Sequence, residues 1–429
     1  MRLPGTGVDL HFNLAMIKLF YYFSVTYQKV GMVMPIGSPV HESLSTRCSS
    51  MFWKEWSGYH AVKSFDNCHE REYFAFRHAA GVIDVSPLFK YDVTGKDAGQ
   101  FLSQIMVKDI NKLKVGQVTY CCWCDEDGYV LDDGTVSRLE EDYYRVTAAE
   151  PFLAWFLKFK RNLQVEVSDV STKYAALSIQ GPNSRSILKE MTDIDMDNLR
   201  FFRVEKGTLA TVDVWISRTG YTGDLGYEVW CLAENANQVY EDLFKIGAPW
   251  GIKACGLDAL DVTRVEAGFI MNAVDYYSAN QCLIDARKVT PYEIGLGWCV
   301  DLDRSFFVGQ KALKKLKDHP RKVLIGLDID WVELEKEFAK HDLPPEVCNQ
   351  AWRDGKPLYN SMDEFIGFAT SGTWSPALKK NLALAQVPPA YAKVGNKLKI
   401  ELTVEYERRT ITATVVKLPF FNPERKRKP

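Results

Sequence analysis

With 429 residues the chain is long enough for two or three domains and a large core. Its 53 Lys and Arg against 55 Asp and Glu leave a net charge of −2, giving neither an electrostatic footprint for nucleic acid nor a basic face for an anionic membrane. Ten cysteines without regular spacing do not make a disulfide framework, so a reducing compartment is expected. In chain order, Leu14 to Val25 is apolar and aromatic but carries Lys18 and is too short to span a bilayer. With one arginine and no small-residue cleavage site it fits neither a transit nor a signal peptide, and an over-extended start ahead of Met32 or Met34 is the preferred reading. Residues 1–45 are therefore taken as an extension, non-native or disordered.

From about Met51 the pattern becomes regular. Cys68 to Ala80 has helical spacing, Val82 to Val85 and Tyr91 to Val93 read as strands, and Asp97 to Met106 is an amphipathic helix with Ala98, Phe101, Leu102, Ile105 and Met106 on one side. Residues 117–148 form two or three strands around the turn at Asp125 to Gly128, followed by a helix at Pro151 to Phe159 and a strand at Leu163 to Val167. A second set has strand Tyr174 to Ile179, helix Pro182 to Met191, strands within 201–232 and helix Ala236 to Ile246. This order predicts an α+β fold of two ferredoxin-like, split βαβ modules rather than a doubly wound parallel sheet. Beyond about residue 316 short strands with Gly and Pro punctuation, ending in Leu398 to Val404 and Thr410 to Lys417, predict a separate β-barrel-like domain. The basic end, Arg425 to Lys428, reads as a solvated tail.

Several enzyme plans are missing from the sequence. It has no Gly-x-Gly-x-x-Gly turn, no phosphate loop and no His-x-x-x-His pair. Cys121, Cys122 and Cys124 lie close together without further ligands at metal-binding spacing, so no metal is expected and buried thiols are the simpler reading. What remains is carboxylate chemistry beside glycine loops. Ser217 to Glu228 holds Gly220, Gly223 and Gly226, flanked by apolar runs at Leu209 to Ile216 and Tyr227 to Leu232, so its backbone can approach a ligand and Glu228 is aimed from a strand. In Gly128 to Gly134, strand alternation turns Asp132 and Asp133 to opposite faces, so at most one faces a given pocket. Asp261 and Arg264, three apart on an expected helix, can pair across one turn.

Taken in order, these segments resemble the aminomethyltransferase family, typified by the T-protein of the glycine cleavage system. The blocks are Gly81 to Ser86, Gly128 to Gly134, Ile179 to Pro182, Arg218 to Glu228, Gly256 to Gly268, Thr290 to Trp298, Phe307 to Lys311, Thr370 to Pro376 and Lys417 to Phe421. The resemblance implies three lobes around a central channel that holds tetrahydrofolate, with residues 46–315 as the catalytic region and 316–429 as the barrel domain. It implies that Asp133 is the catalytic acid, that Glu228 holds the pterin ring with Tyr221 beside it, and that Arg264 belongs to the cofactor-binding set. A fixed anion at Asp133 can take up a proton and stabilise positive charge developing at the reacting nitrogen.

Three departures stand beside these matches. Leu260 occupies the place of the first arginine in the family's Arg-Asp-x-x-Arg, Gly134 replaces a leucine, and Arg425 falls where some members have tyrosine. Trp123, Tyr129, Trp215, Tyr227 and Trp230 flank the pocket segments, although strand aromatics ordinarily serve the core. Three readings follow: a transferase taking an aminomethyl group from a lipoyl carrier protein, a folate-dependent demethylase of a small methoxy, methylamine or sulfonium donor, and a non-catalytic folate-binding relative. No nucleic-acid or membrane partner is expected, and a cytoplasmic location is preferred to the mitochondrial matrix.

Overall fold

The computed structural model describes residues 34–347 and 350–428. The expectations for Leu14 to Val25 lie outside these residues. A five-stranded antiparallel sheet has the order Gln117–Cys124, Val130–Glu140, Tyr143–Ala148, Phe89–Thr94, Glu166–Asp169. A six-stranded sheet has the order Val204–Leu209, Val212–Ser217, Gly226–Leu232, Tyr174–Gln180, Ala80–Asp84, Ile252–Ala254, with only the last pairing parallel. Six further strands, from Val323–Ile329 to Glu407–Val416, close into a barrel. Among the described residues no helix is long and apolar enough to cross a membrane.

Strand alternation gives each sheet one greasy and one mixed face. In the six-stranded sheet Ala175, Leu177, Ile179, Val214, Ile216, Tyr227, Val229 and Cys231 pack into a core with helix Ala236–Gly247. Their neighbours Trp215, Ser217, Glu228 and Trp230 turn the other way. In the five-stranded sheet Tyr91, Val93, Val136, Tyr144 and Val146 face helices Ala98–Ile105 and Leu153–Lys158. Asp133, Thr135 and Thr147 point to the opposite side, Thr135 and Thr147 joined hydroxyl to hydroxyl. The mixed faces of the two sheets look toward each other. Arg145 reaches from the first sheet over the ring of Tyr174 in the second.

Helix Leu257–Glu266 runs where the three lobes meet. Every residue of it but Asp258 is buried, so it is enclosed on all sides despite its charges. Those charges are matched internally. Glu266 accepts from Tyr73, from the Arg77 guanidinium and from Ser375 of the barrel.

Three expectations require correction. Strand Ala80–Asp84 does not belong with its sequence neighbours: it pairs with Tyr174–Gln180, so residues 85–173 are an insertion between two strands of the six-stranded sheet. Local periodicity identifies a strand but not its partner. The apolar run Leu209 to Ile216 begins in a hairpin turn, with Ala210 at φ 52° between Leu209 and Val212, and the strand that leads into the glycine loop is Val212–Ser217. Residues 36–45 are not an extension: a strand at Ile36–Gly37 and helix His41–Arg47 bury Val40 and Leu44 in the second core. The basic end is not a solvated tail either. Lys426 is buried, and the Arg218 guanidinium donates to the carbonyls of Arg425, Lys426 and Lys428. The barrel domain also carries helix Trp331–Ala339, unanticipated by its strand-like punctuation and capped by Asp330 accepting from the Glu333 amide.

Candidate active site

Asp133 sits in strand Val130–Glu140 opposite Cys122. As alternation requires, Asp132 and Asp133 diverge. Asp132 is fully buried and accepts from the amides of Ala149 and Glu150 at 2.9 and 3.0 Å and from Asn272 at 3.0 Å. It fastens the end of the neighbouring strand. The Asp133 carboxylate turns into the space between the sheets, where it accepts from the Tyr120 hydroxyl at 2.5 Å and from the Tyr276 hydroxyl. Tyr276 also reaches Asp132, at 3.3 Å.

Burial raises the pKa of Asp133, while the two tyrosine donors pull it back. Burial and the Asp133 charge raise both tyrosines, so they remain protonated donors. Asp132 is raised by burial first and then by its neighbour's charge.

The glycine loop is built differently from expectation. A Cβ on Gly220 would lie 2.1 Å, and one on Gly226 2.0 Å, from the side-chain amide of Gln180. Two of the three glycines therefore make room for a side chain of the protein itself. Gln180 donates to the Thr219 carbonyl at 3.2 Å and accepts from the Thr222 hydroxyl at 2.9 Å, pinning the loop from beneath. Gly223, at φ 76°, supplies the left-handed turn. Asp224 then receives Arg425 at 2.6 Å, so the residue replacing the family's tyrosine ties the tail to the loop.

Glu228 lies between Ser178 and Ser217 on the two flanking strands. Burial pushes its carboxyl up to about 7, and the nearby Thr219 hydroxyl, itself hydrogen-bonded to Ser217 at 2.7 Å, pulls that value back. Tyr221 uses its hydroxyl on the Ile270 carbonyl and stacks its ring on Phe269, 5.5 Å between centroids. Asp133, Tyr120, Tyr221 and Glu228 have protein on all sides yet keep accessible surface, as the lining of an internal channel does.

Arg264 pairs with Asp261 at 2.7 Å, as expected, and with Asp275 at 2.6 Å. Its guanidinium is wholly enclosed, so it offers no surface for direct contact with a cofactor. It is a strut joining helix Leu257–Glu266 to the loop that bears Tyr276 and, through Ser371, to the barrel. Leu260 packs in one apolar cluster with Trp215, Tyr221 and Trp230, while Arg353 of the barrel domain brings a cation to Asp261 at 2.7 Å. Gly134 is dictated by packing, since a Cβ there would lie 1.9 Å from the Thr147 carbonyl. Of the flanking aromatics, Trp123 and Tyr227 are core, whereas Trp215 and Trp230 lie on the Glu228 face.

Sequence reasoning missed Tyr120, Tyr276 and Gln180. A glutamine ending an otherwise apolar strand was a legible signal for the last. Tyr276 stands in a long irregular segment after Gly268, with no periodicity to mark it.

Residues 41–304 match the GCVT N-terminal domain, and residues 337–422 match the glycine cleavage T-protein C-terminal barrel domain. The chain is 33% identical over 362 residues to the aminomethyltransferase of Caldanaerobacter subterraneus subsp. tengcongensis, covering 83% of this chain and 88% of that one. It is 34% identical over 353 residues to the aminomethyltransferase of Halothermothrix orenii, covering 81% and 90%. The crystal structure of the glycine cleavage system aminomethyltransferase T from Bartonella henselae superposes with a TM-score of 0.76 at 24% identity, over 90% of this chain and 98% of that one, a likeness of fold.

Proposed function

The chain belongs to the glycine cleavage T-protein family and is a transferase of the aminomethyltransferase kind, and on that premise we propose that it moves an aminomethyl group from a lipoyl carrier protein to tetrahydrofolate. The observation that carries the reading is the Asp133 carboxylate, held by two tyrosine hydroxyls inside a channel between two sheets.

The donor set suits a reduced pterin. Glu228 is a buried acceptor on the face between the sheets, and a pterin ring presents amino and ring N–H donors that pair with a carboxylate. Trp215, Trp230 and the Tyr221 ring supply flat apolar walls on the same side. Tetrahydrofolate, when bound, contributes the ring nitrogen that accepts the one-carbon unit. The chain's own residues do the rest. Glu228 orients the ring system. Asp133, with its proton affinity raised by burial, takes a proton at its carboxylate or opposes positive charge in a site where water is scarce. Tyr120 and Tyr276 hold that carboxylate in one orientation, and Asp132 keeps the strand end from shifting. Arg264 is a positioning residue, fixing Asp275 and with it the adjacent Tyr276.

The test is product identity. Purified protein incubated with tetrahydrofolate and an aminomethylated dihydrolipoyl carrier should yield methylene-tetrahydrofolate and ammonia, read by mass. Methyl-tetrahydrofolate from a small methylated donor would instead make it a demethylase, and folate binding without any product would make it a non-catalytic relative.

A further inference from the structure

Strand Phe52–Trp56 is an edge of a three-stranded sheet and pairs with Tyr59–Ser64, so that Lys54 stands opposite Ala61 and Trp56 opposite Tyr59. Residues directly opposite share a face, which puts Lys54 and Trp56 on the side of Ala61. That side meets helix Leu257–Glu266. Ala61 is buried in one cluster with Leu260 and Trp230, and Trp56 packs on the same cluster together with Trp215 and Tyr221. The apolar wall beside Glu228 therefore continues through Leu260 to Trp56. Lys54, half-buried, stands two residues back along the same strand.

Arg353 comes to this place from the barrel domain. It follows Trp352, whose amide and carbonyl pair with the Gly372 carbonyl and amide at 2.8 and 3.1 Å. A Cβ on Gly372 would lie 2.2 Å from the Trp352 ring, so the contact admits only glycine. The Arg353 Nε donates to Asp261 at 2.7 Å, and its two terminal nitrogens have no partner among the described residues. Among the same residues Lys54 has neither an ion pair nor a hydrogen bond. The acids nearby are already met, Asp258 by Lys63 at 3.9 Å and Asp261 by Arg264 at 2.7 Å as well as by Arg353. Burial lowers the Lys54 pKa, and repulsion from Arg353 outweighs the attraction of either acid. Two cations thus stand together beside an apolar wall with donors to spare. Half-buried like charges are costly to hold in this way unless an anion joins them.

We propose that Lys54 and the terminal nitrogens of Arg353 bind the glutamate carboxylates of tetrahydrofolate, its apolar linker lying along Leu260 and Trp56. The molecule has N–H donors at its pterin end, a flat ring in the middle and carboxylates at the far end, the same order of chemistry as Glu228, the aromatic wall and the two cations. Leu260 leaves the central helix without the arginine that the family carries there, and in this chain the cations come instead from an edge strand and the barrel. The proposal rests on the folate half of the functional reading and is independent of the donor.

Calorimetry on wild type, Lys54→Met, Lys54→Arg and Arg353→Met compares tetrahydrofolate with 6-methyltetrahydropterin, which has the ring system without linker or carboxylate. Each Met variant should weaken tetrahydrofolate about fivefold and leave the tailless pterin within about twofold, and K54R should recover most of the loss. Added salt should weaken tetrahydrofolate more than the pterin in wild type. Unchanged tetrahydrofolate affinity in either Met variant, or equal weakening of both ligands, overturns the anchor and leaves the folate reading standing. Where the pterin alone binds too weakly to register, K54R decides: a tetrahydrofolate loss that arginine does not mend is structural and overturns the anchor. Wild type that binds neither ligand removes the folate reading, and the anchor with it.

Discussion

The Arg77 guanidinium lies 2.5 Å from the Glu266 carboxylate with both side chains closed to solvent. Glu266 also accepts from Tyr73 and Ser375, and Arg77 stands 3.6 Å from Asp224 beneath the glycine loop. One ion pair thus links helix Glu70–His78, the central helix, the barrel and the loop. Removing a single member leaves an uncompensated buried charge, which costs more than the pair itself contributes. Glu266→Ala is expected to lower unfolding free energy by about 3–5 kcal/mol in chemical denaturation. A loss below about 1 kcal/mol would mean that water reaches the pair.

Gln180 makes a sharper prediction, because its amide fills the space above two glycines. Gly226→Ala forces the amide aside and should destabilise the protein by about 1–3 kcal/mol, with weaker tetrahydrofolate binding as the loop shifts. Adding Gln180→Ala removes the obstacle. The double variant should be more stable than the sum of the single effects by about 0.5–3 kcal/mol. Strict additivity in denaturant melts would show that the glycine answers to something other than Gln180.

These two relationships also explain what the sequence could and could not convey. Alternation within a strand is local, so the divergence of Asp132 and Asp133 and the placing of Glu228 on a channel face followed from neighbouring residues. The three-lobed plan followed from the ordered blocks. The partners did not. Tyr276 is 143 residues from Asp133, and Glu266 is 189 from Arg77. Nothing in the local pattern of either residue specifies the other. Strand Ala80–Asp84 was legible as a strand but not as a member of the second sheet, for the same reason. Gly220 and Gly226 carried a true signal of close approach, yet the approaching group was a side chain from the block at 179–182.

Asp133 and its two tyrosines divide binding from chemistry. Asp133→Asn keeps the shape and one of the two tyrosine donor contacts, the other hydroxyl then facing the amide NH2, but removes the charge, so kcat should fall by about 10²–10⁴ with tetrahydrofolate affinity nearly unchanged. Tyr276→Phe leaves Asp133 with Tyr120 alone and should lower kcat about tenfold. Because Tyr276 opposes the rise in the Asp133 pKa, the same variant should move the acidic limb of the kcat profile to higher pH. Full turnover in D133N would remove Asp133 from the chemistry.

Glu228 should set the pH dependence of cofactor binding. Burial raises its pKa to about 7 from an ordinary carboxylate value, so the free protein holds Glu228 neutral below that point. The anion is the stronger acceptor for pterin N–H donors, which means that bound cofactor favours proton release. The sign follows: tetrahydrofolate affinity should increase as pH rises through about 7 and level off above it. Folding carries the opposite slope. A carboxyl whose pKa is raised on folding contributes stability that is fully present below its unfolded pKa and lost as pH climbs toward about 7. Glu228→Gln should abolish both dependences together, flattening the binding curve between pH 6 and 8 and removing this contribution to the stability slope, since glutamine cannot titrate. Binding titrations and denaturation at matched pH on the two proteins measure both effects. A Glu228→Gln protein whose affinity still climbs through neutral pH would assign the titration to another group.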